Sequence, residues 1–110
     1  MNLLCSWVMR VIKYWQFLEL IEHQNITCLS IDLSKEEELN QVGDYLSQTW
    51  KKVDIIVHNA GSLLFKPFLE TSTHDFEKIY KVNVFGLASL TRICVPYMVK
   101  GSHVVTISSM

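Results

Sequence analysis

No glycine precedes Gly43, so the glycine-rich turn that lets backbone amides and a helix N-terminus cradle phosphate is not encoded upstream of that residue. Cysteine is scarce and unpaired. Cys5, Cys28 and Cys94 are odd in number and share no ligand spacing, which excludes a disulfide framework and a zinc site. A reducing, cytoplasmic setting is therefore expected, where the sequon Asn25-Ile26-Thr27 carries little weight. No basic block is longer than Lys51-Lys52, and 10 basic against 11 acidic residues leave a net charge of -1, so the electrostatic footprint of a nucleic-acid binder is missing. No apolar run reaches bilayer length: the stretch from Leu3 to Met9 is broken by Arg10 and Lys13, and no small-residue cleavage site follows it. Internal repeats and low-complexity segments are also absent.

What the chain does have is apolar surface to bury. Hydrophobic residues make up 49% and aromatic residues 11%, which sets a disordered tail aside. At 110 residues, positions 1–110 are expected to form a single domain.

Residues 4–21 place Leu4, Trp7, Val8, Val11, Ile12, Trp15, Leu18 and Ile21 at three- and four-residue steps, which predicts a helix. The stretch NITCLSIDL alternates apolar and polar residues and predicts a strand over about 26–32. Ser34 can cap the next helix, with Glu37 completing a capping box, and Leu39, Val42, Leu46 and Trp50 form its apolar face. VDIIVH, residues 53–58, is a continuous apolar run of the kind covered on both faces in parallel sheets. After a loop through Pro67, Ser72 or Thr73 can cap a long helix whose buried face includes Phe76, Ile79, Tyr80, Asn83, Leu87, Leu90 and Cys94. Pro96 should loosen its last turn, Gly101 ends it, and residues 103–108 are a further apolar strand. Strands that alternate with helices predict an α/β domain, three parallel strands with helices on both faces.

In open α/β sheets, ligands sit beyond the carboxyl ends of the strands. Polar residues collect at those ends here: Asp32, the turn His58-Asn59-Ala60-Gly61, and Ser108-Ser109. Asn83 adds a polar group on a helix face that otherwise reads as buried. Taken singly, each has an ordinary explanation as a helix-entry residue, a turn, a strand end or a satisfied core amide.

Together the motifs DL at 32–33, NAG at 59–61, VNVFG at 82–86 and VVTISS at 104–109 resemble those of the short-chain dehydrogenase/reductase family, in the same order. The resemblance runs from about residue 7 onward and implies a partial Rossmann fold. It implies NAD or NADP as cofactor and a small carbonyl or alcohol as substrate. Asp32 would accept a hydrogen bond from the adenine amino group, and Leu33 would border the adenine. Asn59, Ala60 and Gly61 would shape the turn that passes the ribose. Asn83 would hold an ordered water for proton relay, and Ser109 would hydrogen-bond the substrate oxygen as charge develops on it. His58 stands where the family turn has a first Asn, and reads as a packing variation because no Ser, Cys or carboxylate lies at a recognisable partner spacing. No metal ligands are implied.

Two parts of the family pattern are not found in these residues. By the resemblance, the helix over 4–21 leads into the third family strand, so strands one and two and their glycine fingerprint are missing. The residues four after Tyr14, Tyr45, Tyr80 and Tyr97 are Leu18, Thr49, Val84 and Gly101, so no Tyr-x-x-x-Lys is present either. Both departures imply an internal section of an oxidoreductase, inactive by itself, whose strand at 53–58 lacks a neighbour on one side. The isolated chain would then slide its strands together, borrow another chain, or fold poorly. The second reading is a non-catalytic interaction module. In the family the long helix commonly contributes to oligomer contacts, so the helix at about 74–99 would pair with a full-length relative, with Leu87, Leu90 and Ile93 as candidate surface. A third reading, an unrelated small α/β binding domain, requires all four motifs to match by chance.

Overall fold

The computed structural model of the chain describes residues 3–6 and 27–108. Three strands, β1 (Leu3–Ser6), β2 (Ile55–His58) and β3 (His103–Thr106), form one parallel sheet in the order β1-β2-β3. The register runs Leu4, Ile56, Val104 across one row and Ser6, His58, Thr106 across another. Between β1 and β2 lies helix α1 (Glu36–Tyr45), continued by a π-helical turn over Leu46–Trp50 and closed by Lys51 in the left-handed region. Between β2 and β3 runs one long helical stretch. It comprises α2 (Thr73–Tyr80), a π-helical segment (Lys81–Gly86) and α3 (Leu87–Cys94), with a short 3-10 turn on either side.

The sheet corrects two expectations. Residues 4–6, expected to open a helix, lie in β1 beside β2, and the remainder of that expected helix, 7–21, falls outside the described residues. A short apolar run such as LLCS is equally compatible with strand and helix, and here unpaired backbone along β2 decides the outcome. In the Rossmann order the place beside strand four belongs to strand one. β1 takes that place, so the missing neighbour of residues 53–58 is supplied from within the chain.

The strand expected over 26–32 does not form. Residues 27–32 belong to neither helix nor sheet, and residue 26 lies outside the described set. Thr27 to Ser30 are exposed, while Ile31 and Leu33 pack against the core. In the Rossmann order the neighbour of this expected strand is strand two, and no such strand is present in the sheet of the described residues. The strands at 53–58 and 103–108 are present with slightly tighter bounds.

The core is compact and drawn from three elements: Leu39, Val42 and Leu46 of the α1 rod, Val53 and Ile56 of the β2 segment, and Leu90 and Cys94 of α3. Leu39, Val42 and Leu46 are the face read from sequence, with Trp50 packed at its margin. Helices α1 and α3 cross closely where Gly43 meets Ile93; a Cβ at Gly43 would lie 3.3 Å from Ile93 Cγ2. Burial alternates along β2, with Ile56 and His58 covered and Ile55 and Val57 less so. The helical cover seen among the described residues therefore lies on the Ile56 and His58 face. Both faces of β3 are exposed. A backbone bond from Val53 N–H to the Tyr97 carbonyl (2.8 Å) ties the entry to β2 to the end of the helical stretch, and one from Ile107 N–H to the His58 carbonyl (2.8 Å) extends the pairing of β3 with β2.

Capping agrees at one helix and differs at the other. Ser72 accepts from Asp75 N–H while the Asp75 carboxylate accepts from Ser72 N–H, a full capping box at the start of α2. At α1 the N-cap is Lys35, without a side-chain cap bond. Ser34 instead turns its hydroxyl onto Asp32, and Glu38, rather than Glu37, reaches back to the backbone N–H of Asp32.

Candidate functional site

The carboxyl end of β2 opens directly into the turn Asn59-Ala60-Gly61. Asn59 and Ala60 are half-buried and Gly61 is exposed. The next residue, Ser62, is held on both its backbone groups by one side chain. Its N–H donates to Asn83 Oδ1 at 2.7 Å, and its carbonyl accepts from Asn83 Nδ2 at 2.9 Å. An amide paired with a peptide unit in this way fixes both position and orientation. Asn83 is thus a satisfied, half-buried amide, and the structure assigns its side chain to the turn.

The π-helical segment Lys81–Gly86 that carries Asn83 gathers the other residues singled out from sequence. Gly86 abuts Leu33 so closely that a Cβ there would fall 2.7 Å from the Leu33 carbonyl oxygen and 3.0 Å from its Cβ. Lys81 lies near enough to Asp32 for its positive charge to help hold that carboxyl ionised. Asp32 and Leu33 on one side, and Gly61 and Ser62 on the other, are therefore joined through a single turn of helix. π-helical turns commonly occur at functional sites, where the extra residue per turn re-aims side chains.

Asp32 is an exposed carboxylate kept below its ordinary range. The Ser34 hydroxyl is the main cause, donating to Oδ1 at 2.7 Å, followed by the Ser34 backbone N–H at 2.9 Å; Lys35 and Lys81 add smaller effects. All these bonds fall on Oδ1, which orients the group and leaves it a pure acceptor. His58 is 2% exposed. Its Nε2 lies 2.8 Å from Thr91 Oγ1 on α3, and burial pushes its pKa below the usual value. The imidazole is packed, in keeping with the reading of His58 as a packing variation. Burial likewise pushes the Cys94 thiol up to about 11, an unreactive group in the core.

A loop over 62–70 leaves this turn, and Lys66 returns it to the start of α2 through a 2.9 Å bond to Asp75 Oδ2. Asp75, held by Lys66 first and by the Ser72 N–H and hydroxyl next, stays well below the ordinary carboxylate range. Ser108 is exposed one residue beyond the last β3 backbone bond, and Ser109 lies outside the described residues. The arrangement brings together an oriented hydrogen-bond acceptor, an apolar neighbour and an exposed glycine turn, groups that could hold the polar and flat parts of a ligand. None of the described residues offers a glycine-rich cradle for a pyrophosphate. Among the described residues no group of three His, Cys, Asp or Glu stands ready for a metal ion, and no helix is long and apolar enough to cross a membrane.

Sequence reading missed Lys81, Ser62 and Thr91. Ser62 contributes only backbone, and Lys81 and Thr91 acquire their roles through helix geometry that no local motif encodes.

This geometry agrees with comparisons to known proteins. The family model described as enoyl-(acyl carrier protein) reductase matches residues 14–110. The 7alpha-hydroxysteroid dehydrogenase of Escherichia coli K12 is 38% identical over 81 residues, covering 72% of this chain and 31% of that protein. A short-chain dehydrogenase from Streptomyces avermitilis superposes with a TM-score of 0.76 at 30% identity, over 97% of this chain and 39% of the other. The NADH-dependent enoyl-[acyl-carrier-protein] reductase of Aquifex aeolicus gives a TM-score of 0.65 at 28% identity, over 71% of this chain and 36% of that one. The chain belongs to the short-chain dehydrogenase/reductase family of oxidoreductases. It spans roughly a third of the length of the relatives it matches.

Proposed function

We infer that these residues are the middle section of an NAD(P)-dependent oxidoreductase that moves a hydride between the nicotinamide and a carbonyl or alcohol carbon of a small molecule. The observation that carries this reading is the convergence of Asp32, Leu33, Gly61 and Asn83 around one helical turn at the carboxyl end of β2. The NADH named for the Aquifex aeolicus reductase and the dehydrogenase activity named for the Escherichia coli relative support the cofactor class.

Each side chain has a defined task. Asp32, ionised and oriented by Ser34, accepts the adenine amino group, and Leu33 borders the ring. Asn59, Ala60 and Gly61 pass close to the ribose, and Asn83 holds that turn in place through Ser62 while its main chain keeps a water for proton relay. Ser109 donates to the substrate oxygen as it gains charge. NAD or NADP supplies or takes the hydride when bound. The reading assigns no nucleic-acid or membrane partner and a cytoplasmic setting.

These 110 residues contain neither a glycine-rich phosphate turn before Gly43 nor a Tyr-x-x-x-Lys, so the reading assigns no turnover to them alone. Titration of the chain with NADH or NADPH, followed by nucleotide fluorescence, is expected to show no saturation below millimolar concentration. A micromolar dissociation constant would contradict it.

A second reading has its own observation. Leu87, Leu90 and Ile93, the candidate contact residues from sequence, pack inward or are half-buried. Phe76, Tyr80 and Phe85, on the same helical stretch, are instead 42%, 54% and 60% exposed. A non-catalytic module that pairs with a full-length relative would use this second row. Co-purification with such a relative, lost on substituting Tyr80 and Phe85 by Ser, is the expected result; a monomer in the presence of the relative would contradict it.

A further inference from the structure

The turn Asn59-Ala60-Gly61 is bounded by two residues, His58 before it and Ser62 after it, and both are bonded to the same helical stretch. Ser62 is held by Asn83. His58 is held by Thr91, whose hydroxyl also donates to the Leu87 carbonyl at 2.9 Å. A hydroxyl has one proton, and Thr91 spends it on Leu87. The bond to His58 must therefore run from His58 Nε2–H to Thr91 Oγ1, which selects the Nε2-protonated tautomer of the imidazole.

Asn83 and Thr91 are eight residues apart. In an uninterrupted α-helix that spacing leaves them about 80° apart around the axis, at about 100° per residue. The π-helical segment Lys81–Gly86 contains Asn83 and runs on toward Thr91, and because its hydrogen bonds close five residues apart instead of four it turns less per residue than an α-helix. Their separation is therefore smaller than in an α-helix, and their bonds to Ser62 and His58 place both side chains toward the turn after β2. The helical irregularity thus brings two anchors eight residues apart onto one face, at the two ends of a three-residue turn.

We propose that His58 and Thr91 are a positioning pair that, together with Asn83 and Ser62, clamps the Asn59–Gly61 turn to one helix at both ends. The pair touches no cofactor itself and acts through the turn. Its functional meaning rests on the reading of that turn as the ribose-facing wall of a nicotinamide cleft, whereas the clamp itself is measurable without any cofactor. Burial supports the assignment, because it favours the neutral imidazole that the tautomer requires.

Amide hydrogen exchange reads the clamp directly. In Thr91→Val, which keeps shape and loses the hydroxyl, the Ser62 amide is expected to exchange faster by roughly 2- to 12-fold, the loss of one hydrogen bond's net worth. Amides of Ile56 and Leu90 should keep their protection, and Thr91→Ser should restore the protection of Ser62. Unchanged Ser62 exchange in Thr91→Val, or loss of protection spread evenly over the core, would overturn the proposal. The nitrogen resonances of the His58 ring give a second, independent reading in the unaltered protein. The Nε2-protonated neutral form is expected, and the Nδ1-protonated form would overturn the proposal even if the variants fail to fold. Absence of nucleotide binding bears on the cleft reading and leaves both results unaffected.

Discussion

Gly86 is the position where a single methyl group tests the packing of the site most severely. A Cβ there would sit 2.7 Å from the Leu33 carbonyl oxygen, 3.0 Å from the Leu33 Cβ and 3.3 Å from its carbonyl carbon. Two of these atoms are backbone, and residues 32–35 are fixed by the Asp32 carbonyl bond to Lys35 N–H and by the Ser34 bonds to Asp32, so the neighbour cannot simply rotate away. Forcing a methyl group into such a contact costs about 1–3 kcal/mol, and two backbone contacts push toward the upper part of that range. Replacing a helical glycine by alanine returns about 1 kcal/mol through backbone entropy. Gly86→Ala should therefore lose about 1–2 kcal/mol net. Thermal unfolding would show this as a Tm lower by about 4–8 °C per kcal/mol. Gly43→Ala is the internal control. Its Cβ would lie 3.3 Å from Ile93 Cγ2, a contact relieved by a shift of a few tenths of an ångström and involving no backbone atom, so the helix gain should leave the variant close to neutral. If Gly86→Ala matched or exceeded the parent in stability, the close approach of residues 33 and 86 would be wrong, and with it the joining of Asp32 to the turn.

Other perturbations follow from the same geometry. Leu46 is fully buried at the centre of the core, and Leu46→Ala should cost about 2–5 kcal/mol in urea unfolding; a loss below 1 kcal/mol would mean the core is loosely packed. Ser72→Ala removes the side chain that accepts from Asp75 N–H and should cost about 1 kcal/mol, read as earlier fraying of α2 by amide exchange. His58 is buried and its pKa lies below 6.5, so on acidification the unfolded chain takes up the proton first. Stability is then fully present above pH 6.5 and declines as pH falls from there toward the lower folded-state pKa. His58→Asn should flatten that part of the pH profile, and an unchanged slope would show that another group titrates. Asp75, depressed by Lys66 and Ser72, acts at lower pH: its contribution is present above 3.8 and lost as pH falls toward its folded-state value. Asp75→Asn should remove that acid-limb loss.

The legible parts of the molecule were those decided by local chemistry. The face of α1, the Ser72 cap and the strands around Ile56 and Val104 follow from period and polarity alone. Strand β1 was not legible because a four-residue apolar run does not declare its structure; it pairs because β2 offers an edge. NITCLSIDL has no strand two beside it among the described residues, so its alternating pattern goes unused. Phe76 and Tyr80 were expected on the buried face with Leu90 and Cys94, which assumes one helical period throughout. The π segment at 81–86 rotates the two halves relative to each other, turning Leu90 and Cys94 inward while Phe76 and Tyr80 face out. At the site, Asp32, Leu33 and the NAG turn were readable as motifs. Their meeting on one helical turn was not, because it depends on that same shift of period.

Chemical-shift mapping with millimolar NADH tests the placement of the cofactor most directly, since weak binding still perturbs the amides it touches. The account predicts perturbations concentrated at Asp32, Leu33 and Asn59 to Ser62, largely abolished in Asp32→Ala. Perturbations confined to the exposed faces of β3 or to the Phe76 and Tyr80 row, or none at these turn residues, would contradict it.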